Sequence, residues 1–270
     1  MEEEFRLFLY GYNIDFVQID DKPMSVFLIK KLAVVLVSLE EFFLFDEPDY
    51  LIYGESRIFL YEDKWNKGSD FIKQRLLCHF GLGDTIFARN TRVEEITSDL
   101  AAEFLNRNHS YGSAAAKYKY GLFVNRSDKN NIEQDTLVAV ATFSTPKIMN
   151  REGLKVESYE WIRYASLPKL RVVGGMGKLL KNFIDIVDPQ EIMSYSDREW
   201  SEGEVYLKLG FVKDSIRKPV EFYVDRLNML RFSGKKINKD RKFRSLDLEG
   251  DNYIHIQNIG SVKYLLPLYK

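Results

Sequence analysis

The sequence predicts a mixed α/β protein: a central sheet flanked by helices makes up the larger part, and a smaller α/β domain precedes it. Three observations predict this. Residues 1–90 are a series of short apolar segments broken by turn residues. Residues 91–232 alternate helical and strand periodicity in a regular order. Within this second part, "RVVGGMGKLLKNF" at 171–183 places three glycines in four positions at the mouth of an amphipathic helix. Glycine weakens regular structure, so such a cluster marks a tight turn or a ligand close to the main chain. Bare N–H groups at a helix start also attract phosphate.

In chain order, "FRLFLYGY", "MSVFLIKKLAVVLVSL" and "RIFLYEDKW" read as strands, with "DDKP" and "DEPD" as turns. A helix is predicted over Asp70–His79, with Phe71, Leu76 and Leu77 inward, and "GLGDTIFARN" connects it onward. Thr91 with Glu94 reads as a capping box. Val93, Ile96, Leu100 and Phe104 follow at helical spacing, which predicts a helix from Thr91 to Arg107. The loop "NHSYGSA" leads to strands at Tyr118–Val124, Thr136–Phe143 and Tyr159–Ala165, and "SLPKLRVVGG" reads as a loop. Residues 176–187 form the next helix, with Leu179, Leu180, Phe183, Ile184 and Val187 on one face and Pro189 beyond its end. "EIMSY" is a strand; "SEGE" caps a short helix, "GEVYLKL", closed by Gly210. Strands near Val212–Ile216 and Glu221–Val224 meet at "RKP", and 233–270 is a basic extension with a terminal strand.

Composition narrows the function. The net charge is −1, so any surface for nucleic acid must be local. The lone cysteine, Cys78, excludes an internal disulfide framework, suits a reducing compartment and reads as a small buried hydrophobe. The apolar run within Leu32–Leu39 is too short for a membrane span and reads as a buried strand. The acidic start "MEEEF" is unlike a signal peptide. A soluble cytoplasmic protein is expected, with no membrane partner and no metal. A Walker A loop is excluded, because Val172 and Leu179 stand where Gly and Ser or Thr are needed.

The order helix, three strands, glycine turn, helix, strand, helix, two strands resembles the GNAT acyltransferase fold, a mixed and splayed sheet flanked by helices. That family carries Arg/Gln-x-x-Gly-x-Gly/Ala, and here Arg171 and Gly174 match it. Met176 occupies the small-residue position and Gly177 lies one place late. A longer match, "RVVGGMGKLLKNF", "SYSDREWSEGEVYLKLGF" and "KPVEFYV", with Phe104–His109, "TLVAVATFSTP" and "YEWIRYAS" upstream, resembles the Mom-like DNA-modification proteins of phages and mobile elements. It covers about 91–232. "FLYEDKWNKGSDFIKQRLL" and "IFAR" resemble the end of a Vsr-like or homing-endonuclease-like domain. Leu32-Ala33-Val34-Val35 stands where that domain needs an acidic strand. Residues 1–90 are therefore either a degenerate nuclease or an unrelated α/β domain.

The resemblance implies acetyl-CoA or another acyl-CoA as cosubstrate. Its pyrophosphate would lie on Arg171, Val172, Val173, Gly174, Gly175 and Gly177, with Lys178 adding a point charge. His109, in a polar loop, is the candidate general base, or an ordinary exposed histidine. In "SYSDREW", Asp197 would orient a base or the acceptor amine, and Tyr195 or Ser196 would protonate the leaving thiolate; the same stretch also reads as a solvated turn. Tyr206, on the following helix, is either a general acid or an amphipathic-helix residue. The stretch 231–244 concentrates Arg231, Lys235, Lys236, Lys239, Arg241, Lys242 and Arg244 around Phe232 and Phe243. It is either a surface for DNA or a solvated loop. The function implied is an acyl-CoA-dependent N-acyltransferase acting on an amine, foremost that of a nucleobase in DNA. The alternative is a non-catalytic DNA- or protein-binding module that keeps the fold.

Overall fold

The structure is a computed structural model that describes residues 1–21, 24–40, 56–126, 132–234, 237 and 252–269. It divides into two compact units. One comprises Met1–Lys73, Ser196–Glu204 and Ser215–Val262; the other comprises Gln74–Tyr195, Val205–Asp214 and Lys263–Lys270. The division is discontinuous, where the sequence reading drew three consecutive stretches.

The first unit opens with helix α1 (Glu2–Gly11). The sequence reading made "FRLFLYGY" a strand, and this is corrected. Phe5, Phe8 and Leu9 fall one helical turn apart and are the buried residues, while Glu2, Glu3 and Glu4 suit the positive end of the helix dipole. Strands β1 (Val17–Asp21), β2 (Met24–Ile29) and β3 (Leu32–Val37) form an antiparallel meander. Strand β4 (Ser56–Tyr61) then pairs with β3 in parallel, Leu32 opposite Ser56 and Val37 opposite Tyr61. Phe27 packs edge-on against Phe5 at 4.9 Å, so α1 covers one face of this sheet. Helix α2 (Glu62–His79) follows, beginning eight positions before the predicted start.

In the second unit, β5 (Asp84–Phe87) precedes β6 (Thr91–Glu95) and α3 (Ser98–Asn108). The predicted helix start at Thr91 is thus corrected. Thr91 Oγ1 donates to the Ala88 carbonyl at 2.7 Å, and Thr91–Glu95 pairs with the next strand. The helix is capped by Thr97, whose Oγ1 accepts from Leu100 N at 3.3 Å. Val93 and Ile96 fit both periodicities; the sheet partner decides between them.

Strands β7 (Tyr118–Val124), β8 (Leu137–Phe143), β9 (Lys147–Arg151) and β10 (Leu154–Ser166) follow. Next come β11 (Leu170–Val173), α4 (Gly175–Val187), β12 (Glu191–Asp197), α5 (Glu204–Lys208) and β13 (Val212–Arg217). The segment read as a loop before the glycines contains β11, which pairs in parallel with β5. A helical crossover is what lets β12 lie parallel to β10.

Strands β14 (Glu221–Asp225), β15 (Arg231–Ser233) and β16 (Tyr253–Gln257) form a separate antiparallel sheet in the first unit. Its Val224, Ile254 and Ile256 share one core with Val26, Val35 and Phe59 of the four-stranded sheet. The last strand, β17 (Ser261–Pro267), enters the large sheet, whose order is β13-β17-β12-β10-β8-β7-β6, with β9 also on β10. The strands predicted to meet at "RKP" therefore belong to different sheets.

The result is a mixed α/β fold with a splayed central sheet flanked by helices, as the acyltransferase resemblance implied. Helix α3 packs Ala101, Phe104 and Leu105 with Val140 and Ala165. On the opposite face, α4 lays Phe183 flat on Phe143 at 3.9 Å. The run at β3 is buried as expected. Among the described residues, no helix is long and apolar enough to cross a membrane.

Candidate active site

The splay starts where β10 and β12 stop pairing. Their parallel register covers only Ser158 opposite Glu191, Tyr159 opposite Ile192 and Glu160 opposite Met193. Both strands run on, β10 to Ser166 and β12 to Asp197. Just past the last pair, the β10–β8 register shifts between Trp161 and Arg163. An extra residue in one strand turns the side chains after it to the other face. Trp161 thus sits opposite Phe143, beneath α4, and Arg163 sits opposite Thr142.

Arg163 uses its position to hold the loop after α3. Its Nε donates to the Gly112 carbonyl at 3.0 Å and its Nη1 to the Ile162 carbonyl at 2.9 Å. His109 begins that loop as the C-cap of α3. Burial, then the nearby Arg163 and Arg75 charges, push its pKa down to about 4, so it is neutral near pH 7. Its Nδ1 accepts from Tyr111 N at 3.1 Å. The neutral ring therefore carries its proton on Nε2 and presents a donor there. Taking a proton at Nδ1 requires that bond to open.

The glycine turn lies at the start of α4. Gly174, at φ +78°, is the N-cap and has no side chain to offer. The first intrahelical bond is made by Lys178 N to the Gly174 carbonyl, so the N–H groups of Gly175, Met176 and Gly177 precede it. No acidic residue sits in the first turn. A Cβ on Gly175 would lie 2.8 Å from Val172 Cγ1 and 3.0 Å from the Tyr164 hydroxyl. Glycine is thus required here by packing. Arg171 is exposed on β11, as is Val173, while Val172 is buried beneath them. Lys178 is turned elsewhere: its Nζ donates to the carbonyls of Ala88, at 3.0 Å, and Thr91. The point charge expected of it is a tether between α4 and the 88–91 turn.

The acid candidate best placed at the splay is Tyr206. Its hydroxyl lies 2.8 Å from Ser194 Oγ, which also reaches the Trp161 carbonyl at 3.0 Å. Its ring stacks on Tyr264 at 5.1 Å and meets Trp161 edge-on at 6.1 Å. Burial pushes the phenol pKa up, so it holds its proton. The side chains of Ser194, Trp161 and Tyr164 carry no role that the sequence alone assigns. The signal for Ser194 is its place one residue past the strand pairing, which only the sheet reveals.

The remaining candidates are held by local bonds. Ser196 Oγ donates to the Ser201 carbonyl at 2.7 Å. Asp197 Oδ1 accepts from Glu199 N at 3.0 Å, closing the turn after β12. Tyr195 is half-buried. Lys235, Lys236, Lys239, Arg241, Lys242 and Arg244 lie outside the described residues. Arg231, counted with them in the sequence, points inward and clasps buried Asp63 at 2.6 and 2.7 Å.

No family model matches this chain, and no curated protein matches it. Among solved structures it is similar to the NatC complex bound to Gag peptide and CoA, at 13% identity and TM-score 0.37, over 66% of this chain and 99% of that one. It is similar to a histone acetyltransferase HPA2 and related acetyltransferase from Corynebacterium glutamicum, at 16% identity and TM-score 0.32, over 74% and 92%. A mutant AtaT toxin bound to the C-terminus of the antitoxin AtaR and acetyl-CoA gives 15% identity and TM-score 0.31, over 54% and 94%. At these values the likeness carries no weight of its own; the fold rests on strand order, splay and glycine turn.

Proposed function

We propose that this chain is an acyl-CoA-dependent N-acyltransferase of Mom-like type, acting on the exocyclic amine of a nucleobase. The observation that supports it most is the splay: two parallel strands part directly beside a helix whose glycine N-terminus is uncapped, and a half-buried tyrosine sits at the opening. The residues fit a pyrophosphate. Free N–H groups at 175–177 and no acidic side chain in the first turn leave the main chain open to it. Arg171, Val172, Val173, Gly174, Gly175 and Gly177 are its proposed cradle.

When bound, acyl-CoA supplies a thioester carbonyl open to direct attack by an amine. The chain supplies the rest. A main-chain N–H of Arg163–Ala165, on the unpaired edge of β10, is the proposed donor to the carbonyl oxygen. Tyr206 gives its proton to the departing sulfur. Neutral His109 orients the acceptor through Nε2–H or, with Nδ1 freed, takes the amine's proton; Asp197 is proposed to orient a base or the acceptor amine, and Tyr195 and Ser196 are alternative acids. A base within a duplex must be flipped or already unpaired to reach such a site.

Residues 1–90 are proposed as a nuclease-like fold that lost its acidic strand, 91–232 as the transferase, and the basic run from Lys235 to Arg244 as the segment that meets DNA; β16 and β17, which follow it, are core strands. Thermal unfolding tests the central reading. Acetyl-CoA should raise the melting temperature progressively with concentration, since it binds only the folded state. No rise at millimolar acetyl-CoA overturns the transferase reading. The acceptor is tested by anisotropy of labelled DNA across a salt series, because each neutralised phosphate releases counterion. Changing Lys235, Lys236, Arg241 and Lys242 together to Gln should flatten the salt dependence. Absence of DNA binding at low salt removes the nucleobase acceptor.

A further inference from the structure

We infer that Ser194 is a positioning residue for the transfer step: its hydroxyl fixes the Tyr206 phenol at the mouth of the splay and supplies the hydrogen bond a deprotonated Tyr206 needs. This rests on the transferase reading above. Ser194 is the first residue of β12 past the last paired residue, Met193, as Trp161 is the first of β10 past Glu160. Its side chain is buried, at 2% exposure. Its Oγ lies 3.0 Å from the Trp161 carbonyl and 2.8 Å from the Tyr206 hydroxyl. A serine has one O–H, and a carbonyl only accepts. Both contacts are met together only if Ser194 donates to Trp161 and Tyr206 donates to Ser194. The phenol proton therefore points at Ser194. Stacking on Tyr264 at 5.1 Å and edge contacts with Trp161 at 6.1 Å and Phe211 at 5.4 Å clamp the ring around it.

In transfer, the C–N bond forms at the carbonyl carbon as the C–S bond breaks. The Tyr206 proton goes to the departing sulfur, the amine gives its proton to the base named above, and a proton from solvent then restores the phenol. Between these events Tyr206 is a phenolate, which only accepts. Turning about its own C–O bond, Ser194 moves its O–H from the Trp161 carbonyl to the phenolate, with no heavy atom displaced. An alanine offers no such donor. A hydroxyl that merely seals the strand ends would leave the chemistry of Tyr206 untouched.

The test labels tyrosine at the ring carbon bearing the hydroxyl and records carbon NMR in mixed light and heavy water. A slowly exchanging hydroxyl gives two resolved lines, assigned to Tyr206 by their loss in Tyr206→Phe. Wild type should show the pair, Ser194→Ala a single averaged line, and Ser194→Thr the pair again. Thiol release from acetyl-CoA should fall about tenfold in Ser194→Ala, its alkaline limb displaced upward by about one pH unit because the phenolate has lost a donor. The acetyl-CoA-induced melting shift should stay as in wild type. If Ser194→Ala fails to fold, Ser194→Cys, which keeps the volume and weakens the bond, should move both readouts the same way. A variant that keeps the resolved pair and the wild-type rate overturns the positioning role while the transferase reading stands. A wild type with neither thiol release nor melting shift overturns the transferase reading, and this step with it.

Discussion

Two helices pack on opposite faces of the large sheet, and they begin differently. Helix α3 has Thr97 as its cap, accepting from Leu100 N, and Asp99 in its first turn. Helix α4 has Gly174 in the left-handed region, no side-chain cap and no acidic residue in its first turn. A glycine cap costs only about a few tenths of a kcal/mol relative to threonine, and an acidic first turn adds about as much. The first N–H groups of α3 are met by its own side chains, and those of α4 are not. The first unit contains buried ion pairs. Asp63 and Glu199, both at most 2% exposed, pair with Arg231 and Lys64, although Glu199 Oε1 has no hydrogen-bond partner among the described residues and burial pushes that carboxyl up.

The largest effect expected is at α4. Gly175→Asp should abolish the acetyl-CoA-induced melting shift, because its side chain is driven against Val172 and Tyr164 and displaces the turn that carries the N–H groups of 175–177. Gly175→Ala adds crowding against Val172 without the charge. It should lower stability by about 1–3 kcal/mol and retain a reduced shift, measured by the same thermal scans. If Gly175→Asp keeps the full shift, the contrast between the two helices has no bearing on coenzyme binding.

Next is the phenol beside the splay. Tyr206→Phe should slow thiol release by about 100-fold, the lower end for an acid in proton transfer. Its melting shift with acetyl-CoA should persist, since the ring keeps its stack on Tyr264. Rates near wild type would remove Tyr206 from the mechanism and return the acid role to Tyr195 or Ser196.

The other end of α3 gives a pH dependence. His109 is its C-cap, and its pKa falls from 6.5 to about 4 through burial and the nearby Arg163 and Arg75. The unfolded chain takes up this proton near pH 6.5, and the folded chain resists it until about 4. The stabilisation is therefore full above pH 6.5 and is lost as pH falls toward 4. Melting temperatures measured across that range should decline, and His109→Gln should flatten part of the slope.

The smallest effect should come from Thr97→Ala. It should cost about 1 kcal/mol in denaturant unfolding and leave the acetyl-CoA shift unchanged. A weakened shift would mean that the α3 cap also serves the coenzyme, and the contrast would dissolve.

What the sequence determined by itself is local. Glycines followed by Leu179, Leu180 and Phe183 dictate a turn and an amphipathic helix wherever the rest of the chain lies. An unbroken apolar run at Leu32–Val37 dictates a buried strand. Tertiary structure decided what local pattern leaves open. Thr91–Glu95 fits a helix by spacing and became a strand because β7 offers it a ladder. "FRLFLYGY" has strand-like composition and became a helix because Phe5, Phe8 and Leu9 had a sheet face to cover. Arg231 reads as one of a basic run and is drawn inward by Asp63, its partner across 168 positions of sequence. Ser194 reads as one hydroxyl among several, and its partners, Trp161 and Tyr206, lie 33 and 12 positions away. A hydroxyl's role is set by the groups within 3 Å of it, and only the pairing and parting of β10 and β12 chose them.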